Sequence, residues 1–131
     1  MTLFSRIITG EIPCHKVAES DRCFAFLDIR PIAKGHTLVV PKTQTDYLFD
    51  LDGPWLADLI LFAKAVARGI DAATGCVRTG VIVQGLDVPH AHIHLVPLHL
   101  PHPKLAFGSP VEVSAEEMAA IAAAIAKEVR L

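Results

Sequence analysis

The chain has 131 residues, of which 52% are hydrophobic and 20% are charged, enough for one domain with a buried core. Twelve basic and fourteen acidic side chains give a net charge of -2, which excludes the strong positive field that draws proteins to nucleic acid or anionic membranes. The three cysteines, at positions 14, 23 and 76, have no CxxC spacing; they favour a reducing compartment over a disulfide framework or a zinc knuckle.

The sequence shows neither a targeting segment nor a membrane span. Its first eight residues lack the apolar stretch and small-residue cleavage site of a signal peptide. The longest apolar segment, Trp55–Ala73, contains four charged residues, and no other segment approaches the roughly 20 apolar residues of a span. We therefore expect a single domain over residues 1–131, in the cytoplasm, without a nucleic-acid or membrane partner.

Two strands and a long helix are predicted in the first part of the chain. The apolar runs Arg22–Leu27 and Thr37–Val40 are separated by turn residues and predict a hairpin. From Trp55 onward, apolar residues recur at the spacing of a helix. Asp52 is a start signal for this helix, and the pair Thr74–Gly75 is a stop signal.

Two more strands and a C-terminal helix are predicted in the second part. The runs Thr79–Gln84 and Ala91–Leu98 are joined by a link too short for a parallel crossover, so they should pair antiparallel. The proline-rich segment Leu98–Pro110 should form a loop packed over the sheet. Ser114 and Glu117 form a capping-box pattern, in which each side chain satisfies a backbone N–H. This order of elements predicts an α+β domain built on an antiparallel sheet.

Histidine is concentrated in the last predicted strand and the loop that follows it. Five of the seven histidines lie between residues 90 and 102, and His90, His92 and His94 alternate with apolar residues. In a strand, this alternation places the three imidazoles on one face, in a row about 13 Å long, while Ala91 and Ile93 face the core. The alternative is a solvated strand face that happens to carry histidine. That interpretation suits a single histidine better than three in register, so the pattern favours a functional site.

Two kinds of chemistry fit this row of imidazoles. Zinc binding is one, because two histidines separated by one residue on a strand can bind zinc with a distant third ligand; near the row, only Asp87 offers a carboxylate. Nucleophilic catalysis on phosphorus is the other, because a neutral imidazole is a good nucleophile near pH 7 and its neighbours can donate to phosphate oxygens. The residues alone leave both open.

Three segments resemble the histidine triad (HIT) nucleotide-binding proteins. Residues 90–96, His-Ala-His-Ile-His-Leu-Val, resemble the His-x-His-x-His-x-x signature of that family. Residues 4–13 are similar to its opening segment, and residues 24–29 with 35–42 to its nucleoside-binding half. The resemblance covers most of the chain and implies a HIT-like fold: an antiparallel sheet of about five strands, with a long central helix and a C-terminal helix.

The resemblance also implies a catalytic role for four histidines. His92 would attack the α-phosphorus of a nucleotide and form a nucleotidyl-histidine intermediate, which water then hydrolyses. His94 and His36 would hold the phosphate oxygens and help the leaving group depart. The backbone carbonyl of His90 would accept the Nδ1 proton of His92, and the His90 side chain would support the site.

A nucleoside pocket follows from the same resemblance. Asp28 would accept hydrogen bonds from the ribose hydroxyls; its structural alternative is a turn before Arg30. The base, a purine on family grounds, would be enclosed by four apolar side chains, for which ordinary core packing is the alternative: Phe4, Ile7, Phe26 and Ile29.

The segment before the triad departs from the family pattern because it is short. Gln84 is the candidate for the amide that binds phosphate in relatives. Asp87 lies near a position where relatives often carry a small hydroxyl, and a carboxylate there would repel phosphate unless it points away. The cysteine pair that binds structural zinc in some members is absent, so no metal or other cofactor is expected.

The sequence therefore predicts a HIT-type hydrolase that cleaves a nucleoside phosphoramidate, a dinucleoside polyphosphate or a related nucleotide at the α-phosphate. The triad lacks the His-Pro-Gln ending of the nucleotidylyl-transferase branch, which argues for hydrolysis. The alternative, motivated by the short segment before the triad, is a nucleotide-binding sensor or interaction module with vestigial turnover. Family members are commonly homodimers joined through central helices and sheets, so we expect a homodimer.

Overall fold

Five strands and three helices follow one another in the computed structural model, which describes residues 1–131. The strands are β1 (Lys16–Glu19), β2 (Cys23–Leu27), β3 (Thr37–Pro41), β4 (Arg78–Ile82) and β5 (Ile93–Leu98). They form one antiparallel sheet in the order β1-β2-β3-β5-β4. The helices are α1 (Leu3–Ile8), α2 (Gly53–Thr74) and α3 (Ala115–Glu128). The prediction of an α+β fold with about five strands, a long central helix and a C-terminal helix is confirmed.

Helix α2 begins and ends at the predicted signals. The Asp52 carboxylate accepts a hydrogen bond from the backbone N–H of Trp55 at 3.0 Å. Gly75 ends the helix with φ +67°, a left-handed conformation that favours glycine. Inside the helix, a Cβ on Gly69 would lie 2.7 Å from a methyl group of Val129. Glycine therefore allows the end of α3 to approach α2 closely.

Helix α3 forms only half of the predicted capping box. Ser114 accepts a hydrogen bond from the backbone N–H of Glu117 at 3.1 Å, as predicted. The Glu117 side chain does not return to the cap; its carboxylate lies 2.9 Å from the ammonium group of Lys34. Both side chains of this ion pair are exposed, and the Glu117 carboxylate is engaged there instead of at the backbone of Ser114.

The sheet is buried on both faces, and each face has its own core. On one face, Ala25, Val39 and Ile93 belong to the main cluster, together with apolar residues of α2 and α3. On the other face, Phe24 and Phe26 pack in a smaller cluster that contains Phe4 and Ile7 of α1. Every residue of β2 and β3 is buried, which explains why these strands are continuous apolar runs.

Strands β4 and β5 are shorter than predicted at the ends that meet the histidine segment. β4 ends at Ile82, before Gln84, and β5 begins at Ile93 instead of Ala91. The N–H of Ala91 donates to the carbonyl of Thr45 at 2.6 Å, so this residue bonds outside the sheet. The first two triad histidines therefore precede the strand, and only His94 lies within it.

None of the helices combines the length and apolarity needed to cross a membrane.

Candidate active site

A cavity of about 530 Å³ lies beside the start of β5, on the face of the sheet that α1 covers. Its volume is in the range of small-molecule sites. Seven of the ten predicted site residues line it: His92, His94, Asp28, Phe4, Ile7, Phe26 and Ile29. A larger cleft of about 770 Å³ lies beside α2 and the chain end, but it has charged residues of both signs and no histidine.

His92 presents an unpaired nitrogen to this cavity. Its Nδ1 lies 2.7 Å from the backbone carbonyl of His90, and since a carbonyl only accepts, Nδ1 carries the proton. Its Nε2 then holds a free lone pair. No buried side-chain nitrogen or oxygen lacks a hydrogen-bond partner, so this Nε2, which has none within the protein, must open to the cavity. The hydrogen bond predicted between His92 and the His90 carbonyl is present.

His36 and His94 form a relay with a defined direction. The backbone N–H of Ile32 donates to Nδ1 of His36 at 3.1 Å, so the proton of a neutral His36 is on Nε2. This Nε2 lies 2.9 Å from Nδ1 of His94 and therefore donates to it. The proton of His94 must then be on its own Nε2, which makes His94 a hydrogen-bond donor toward the cavity. His36 is fully buried behind His94 and does not line the cavity.

His90 is fully buried and has no free nitrogen. Its Nε2 lies 2.7 Å from the carbonyl of Pro41, and its Nδ1 lies 2.7 Å from the hydroxyl of Thr2. The ring of Phe4 meets both His90 and His92 edge-on, at centroid distances of 5.8 and 5.0 Å. The rings of His92 and His94 are neighbours, with centroids 5.0 Å apart, and of the three triad rings only these two reach the cavity.

Burial keeps three of the site histidines, His36, His90 and His94, uncharged near neutral pH. It lowers the pKa of His94 to about 3, with nearby His36 and His92 adding to the effect. Burial also lowers the pKa of His36, although the Asp28 carboxylate opposes this. The pKa of His90 is lowered by burial, against the hydrogen bond to Pro41. Neutral rings are consistent with the tautomers that the hydrogen bonds define.

Asp28 forms the turn and also reaches the cavity. Its Oδ1 accepts a hydrogen bond from the backbone N–H of Arg30 at 2.8 Å, which is the turn-forming interaction. Its Oδ2 lies 3.6 Å from Nε2 of His36 and 3.9 Å from Nδ1 of His94. The carboxylate lines the cavity, and Oδ2 is the oxygen left for a ligand.

The apolar part of the cavity lies between α1 and the end of β2. Phe4, Ile7 and Phe26 are buried, whereas Ile29 is 78% exposed at the rim. The rings of Phe4 and Phe26 meet edge-on at 5.6 Å. Because Ile29 has little protein around it, core packing does not account for this residue, and contact with a ligand would.

The segment before the triad places its two polar candidates differently. Gln84 is exposed and does not line the cavity, so the structure does not bring it to the other site residues. Asp87 does line the cavity together with His92 and His94, and its carboxylate is in no ion pair. An exposed carboxylate without an ion-pair partner therefore lines the site.

The hydrogen bonds do not favour a metal ion at the histidines. Asp28, His36 and His94 have potential ligand atoms within 4.8 Å of one another. However, the Ile32 N–H occupies Nδ1 of His36, so Nε2 keeps its proton, and a protonated nitrogen cannot ligate a metal. The zinc alternative at the triad loses its first ligand, because both nitrogens of His90 already have partners.

Two residues at the site were not found from the sequence. Thr2 contacts His90 as described. Phe107, which also lines the cavity, packs edge-on against His94 at a centroid distance of 4.7 Å and stacks on His36 at 6.3 Å. The predicted loop thus covers part of the site as well as the sheet. Thr2 carried a signal as a helix N-cap, whereas an aromatic residue in a proline-rich loop carries none.

Comparison with known proteins identifies relatives of this chain. The HIT domain family model matches residues 9–100. The adenosine 5′-monophosphoramidase of Schizosaccharomyces pombe is 34% identical over 130 residues, 98% of each chain. An adenylylsulfatase of Arabidopsis thaliana is 32% identical over 100 residues, covering 72% of this chain and 51% of that protein. Among solved structures, a Hit-like protein from Bartonella henselae superposes with a TM-score of 0.85 at 28% identity, covering 98% of this chain and 96% of that one.

The lowered pKa values predict that the protein loses stability in acid. A histidine in the unfolded chain has a pKa near 6.5 and binds protons below it, whereas folded His94 resists protonation down to about 3. The free energy of unfolding should be constant above pH 7 and fall below 6.5, by up to about 1.4 kcal/mol per pH unit for each such histidine. Thermal melts between pH 8 and 4 measure this. His94→Asn should flatten the decline and His102→Asn, at an exposed position, should not; equal curves for both would contradict the assignment.

Proposed function

Because the chain belongs to the HIT domain family, we propose that it is a nucleotide hydrolase with His92 as its nucleophile. Its substrate is a nucleoside phosphoramidate, a dinucleoside polyphosphate or a related nucleotide, cleaved at the α-phosphate. The observation that carries the proposal is the unpaired Nε2 of His92, which opens to the cavity. The same cavity is lined by the hydrogen-bond donor His94 and by apolar side chains. Relatives named as an adenosine 5′-monophosphoramidase and an adenylylsulfatase support a nucleotide substrate.

The nucleoside occupies the apolar end of the cavity. The base, a purine, lies between Phe4, Ile7 and Phe26, with Ile29 closing the rim. Oδ2 of Asp28 accepts hydrogen bonds from the ribose hydroxyls, since Oδ1 is already bonded to the backbone. This orientation leaves the α-phosphate beside His92 and His94, which line the same cavity.

Hydrolysis then proceeds in two displacements at phosphorus. The Nε2 lone pair of His92 forms a bond to the α-phosphorus while the bond to the leaving group breaks, and the leaving group departs with that electron pair. An amine leaving group takes a proton from solvent at the cavity mouth. Water next attacks phosphorus, the nitrogen–phosphorus bond breaks, and its electron pair returns to Nε2. The proton of the water passes to solvent, and a nucleoside monophosphate is released.

The neighbouring histidines stabilise charge in this mechanism. In the intermediate the His92 ring is cationic, and its Nδ1–H remains bonded to the His90 carbonyl. Nε2–H of His94 donates to a non-bridging phosphate oxygen, where negative charge accumulates. His36 acts through His94: its Nε2–H holds the His94 ring in the donor tautomer, in place of the direct phosphate contact implied by the resemblance.

Replacement of the nucleophile tests the proposed function. We expect His92→Ala to reduce hydrolysis of adenosine phosphoramidate and diadenosine polyphosphates by about 10²- to 10⁴-fold or more, because it removes the unpaired imidazole lone pair that faces the cavity. His102→Ala is the matched control and should remain active. Mass spectrometry of rapidly quenched wild-type protein should find a nucleotidyl adduct on His92. Near-normal turnover by His92→Ala would refute the mechanism, and AMP binding without adduct or turnover in the wild type would favour the sensor alternative.

The charge of Asp87 predicts a preference among leaving groups. A carboxylate beside the departing group repels an anionic phosphate or sulfate and attracts a cationic amine, and a partly exposed pair of charges contributes up to about 1 kcal/mol. Asp87→Asn should therefore raise kcat/KM for diadenosine polyphosphates relative to an adenosine phosphoramidate with a cationic amine by about fivefold. Asp46→Asn, at an exposed acid outside the cavity, should leave the ratio unchanged. Parallel changes for both substrates in Asp87→Asn would contradict the prediction.

We also propose that the protein is a homodimer. β4 is an edge strand, and an unpaired edge is a template for another chain. Val81 of β4 is 58% exposed, and Leu61 of α2 is 64% exposed, so apolar surface is available on the central helix and on the sheet, the two elements that join family members.

A charged residue on the edge strand tests the dimer. Val81→Lys should convert the dimer to a monomer, because burying an unpaired ammonium is costly, as measured by light scattering after gel filtration. Leu3→Lys, at a half-exposed apolar position of α1, should leave the dimer intact. A monomeric wild-type protein at micromolar concentration would refute the proposal.

All three cysteines are free. Free thiols persist in reducing compartments, which supports a cytoplasmic location for this enzyme.

A further inference from the structure

The hydroxyl of Thr2 connects the first helix to the first triad histidine. Thr2 is the N-cap of α1, where its Oγ1 accepts a hydrogen bond from the backbone N–H of Ser5 at 3.0 Å. The same oxygen lies 2.7 Å from Nδ1 of His90. Thr2 is 9% exposed, so this contact is shielded from water.

The direction of the Thr2–His90 hydrogen bond is set by the other side of the ring. Nε2 of His90 lies 2.7 Å from the carbonyl of Pro41, which can only accept, so Nε2 carries the proton. In a neutral ring Nδ1 then holds a lone pair. The Thr2 hydroxyl therefore donates its proton to Nδ1 of His90, while its oxygen accepts from the backbone N–H of Ser5. The Ser5 hydroxyl, 2.9 Å from the same oxygen, donates its own proton to Gln44 and so does not compete for Nδ1. A threonine or serine hydroxyl can do both at once, but a carboxylate can only accept.

The ring of His90 is consequently held at both ends, between α1 and the end of β3. The backbone carbonyl of the same residue accepts the Nδ1–H of His92. A rotation of the His90 ring would break two hydrogen bonds, so the ring restrains the backbone whose carbonyl orients His92. No contact between Thr2 and the cavity is required for this effect, and Thr2 does not line it.

We propose that Thr2 is a positioning residue for the nucleophile: its hydroxyl fixes the tautomer and orientation of His90, and through the His90 carbonyl it fixes His92. The inference rests on the proposed function for its kinetic consequences, but the tautomer it assigns is independent of any activity. It also connects the two halves of the site, because Thr2 caps α1, the helix that carries the cavity-lining residues Phe4 and Ile7.

A second interaction holds Thr2 in place. The side-chain oxygen of Gln44 accepts hydrogen bonds from the Thr2 N–H at 3.3 Å and from the Ser5 hydroxyl at 2.8 Å. Gln44 follows β3 in the chain, so the start of α1 is attached to the segment whose Pro41 carbonyl binds His90. Ser5→Ala removes the bond to Gln44 and the 2.9 Å contact between the Ser5 and Thr2 hydroxyls, but it leaves the Thr2–His90 hydrogen bond in place, so it is a control for loss of this support alone.

Three substitutions at Thr2 separate helix capping from positioning. Thr2→Val keeps the shape but loses both cap and donor; Thr2→Ser keeps both; Thr2→Asp keeps the cap but cannot donate. We expect Thr2→Val and Thr2→Asp to lower kcat about fivefold or more with KM within about twofold, the effect of one lost hydrogen bond. Thr2→Ser and Ser5→Ala should retain kcat. If Thr2 were only a cap, Thr2→Asp would behave like the wild type, and that result would overturn the proposal.

Nitrogen NMR of the imidazole rings provides a readout that does not depend on turnover. At neutral pH the wild type should show His90 protonated on Nε2 alone. In Thr2→Asp the carboxylate faces Nδ1, so His90 should bind a second proton and become cationic, whereas Thr2→Ser should keep the wild-type signal. An unchanged His90 signal in Thr2→Asp would overturn the inference even if the protein is active. If Thr2→Asp changes the His90 signal but the wild-type protein hydrolyses no nucleotide, the proposed function is refuted and the Thr2–His90 assignment stands.

Discussion

The site depends on one constraint: buried histidines that must each keep a single proton on a defined nitrogen. Two backbone groups impose it from opposite directions. The Ile32 N–H forces the proton of His36 onto Nε2, and His94 follows; the His90 carbonyl forces the proton of His92 onto Nδ1. As a result, two adjacent rings present opposite groups to the cavity: His92 presents a lone pair and His94 presents an N–H donor. For His36 and His94, burial supports this by lowering the pKa of each ring, which makes an additional proton costly.

Much of the fold could be predicted from the sequence, because its signals are local. Helix α2 has capping residues at both ends and apolar residues at helical spacing, and the strands β2 and β3 are continuous apolar runs. The elements that were missed are short: α1 has six residues and β1 has four, too few for a period to appear. The start of β5 was misplaced because the hydrogen bond from Ala91 to Thr45 is a tertiary contact, which no pattern within the segment encodes.

The sequence predicted the residues that line the cavity better than the residues that support them from outside it. The alternating histidines and the family resemblance identified His92, His94 and Asp28, and the structure brings them together. The same signals could not distinguish direct contact from support, so His36 was expected at the phosphate although it lies behind His94. Thr2 and Phe107 contact the histidines only in the folded chain. Thr2 lies 88 residues before His90 in the sequence, and Phe107 lies in the loop after β5 but stacks on His36 and packs edge-on against His94.

The saturated environment of His90 has a consequence for how the histidine signature should be interpreted across divergent sequences. Three imidazoles are written in the motif, yet a ligand meets only two of them, since the first has a partner on each nitrogen. The side chain at position 90 must accept a hydrogen bond from the Thr2 hydroxyl and donate one to the Pro41 carbonyl. The amide of an asparagine or a glutamine also has one acceptor and one donor group. A homologue that has exchanged its first histidine for such an amide would keep its chemistry, and a search that insists on all three would overlook it.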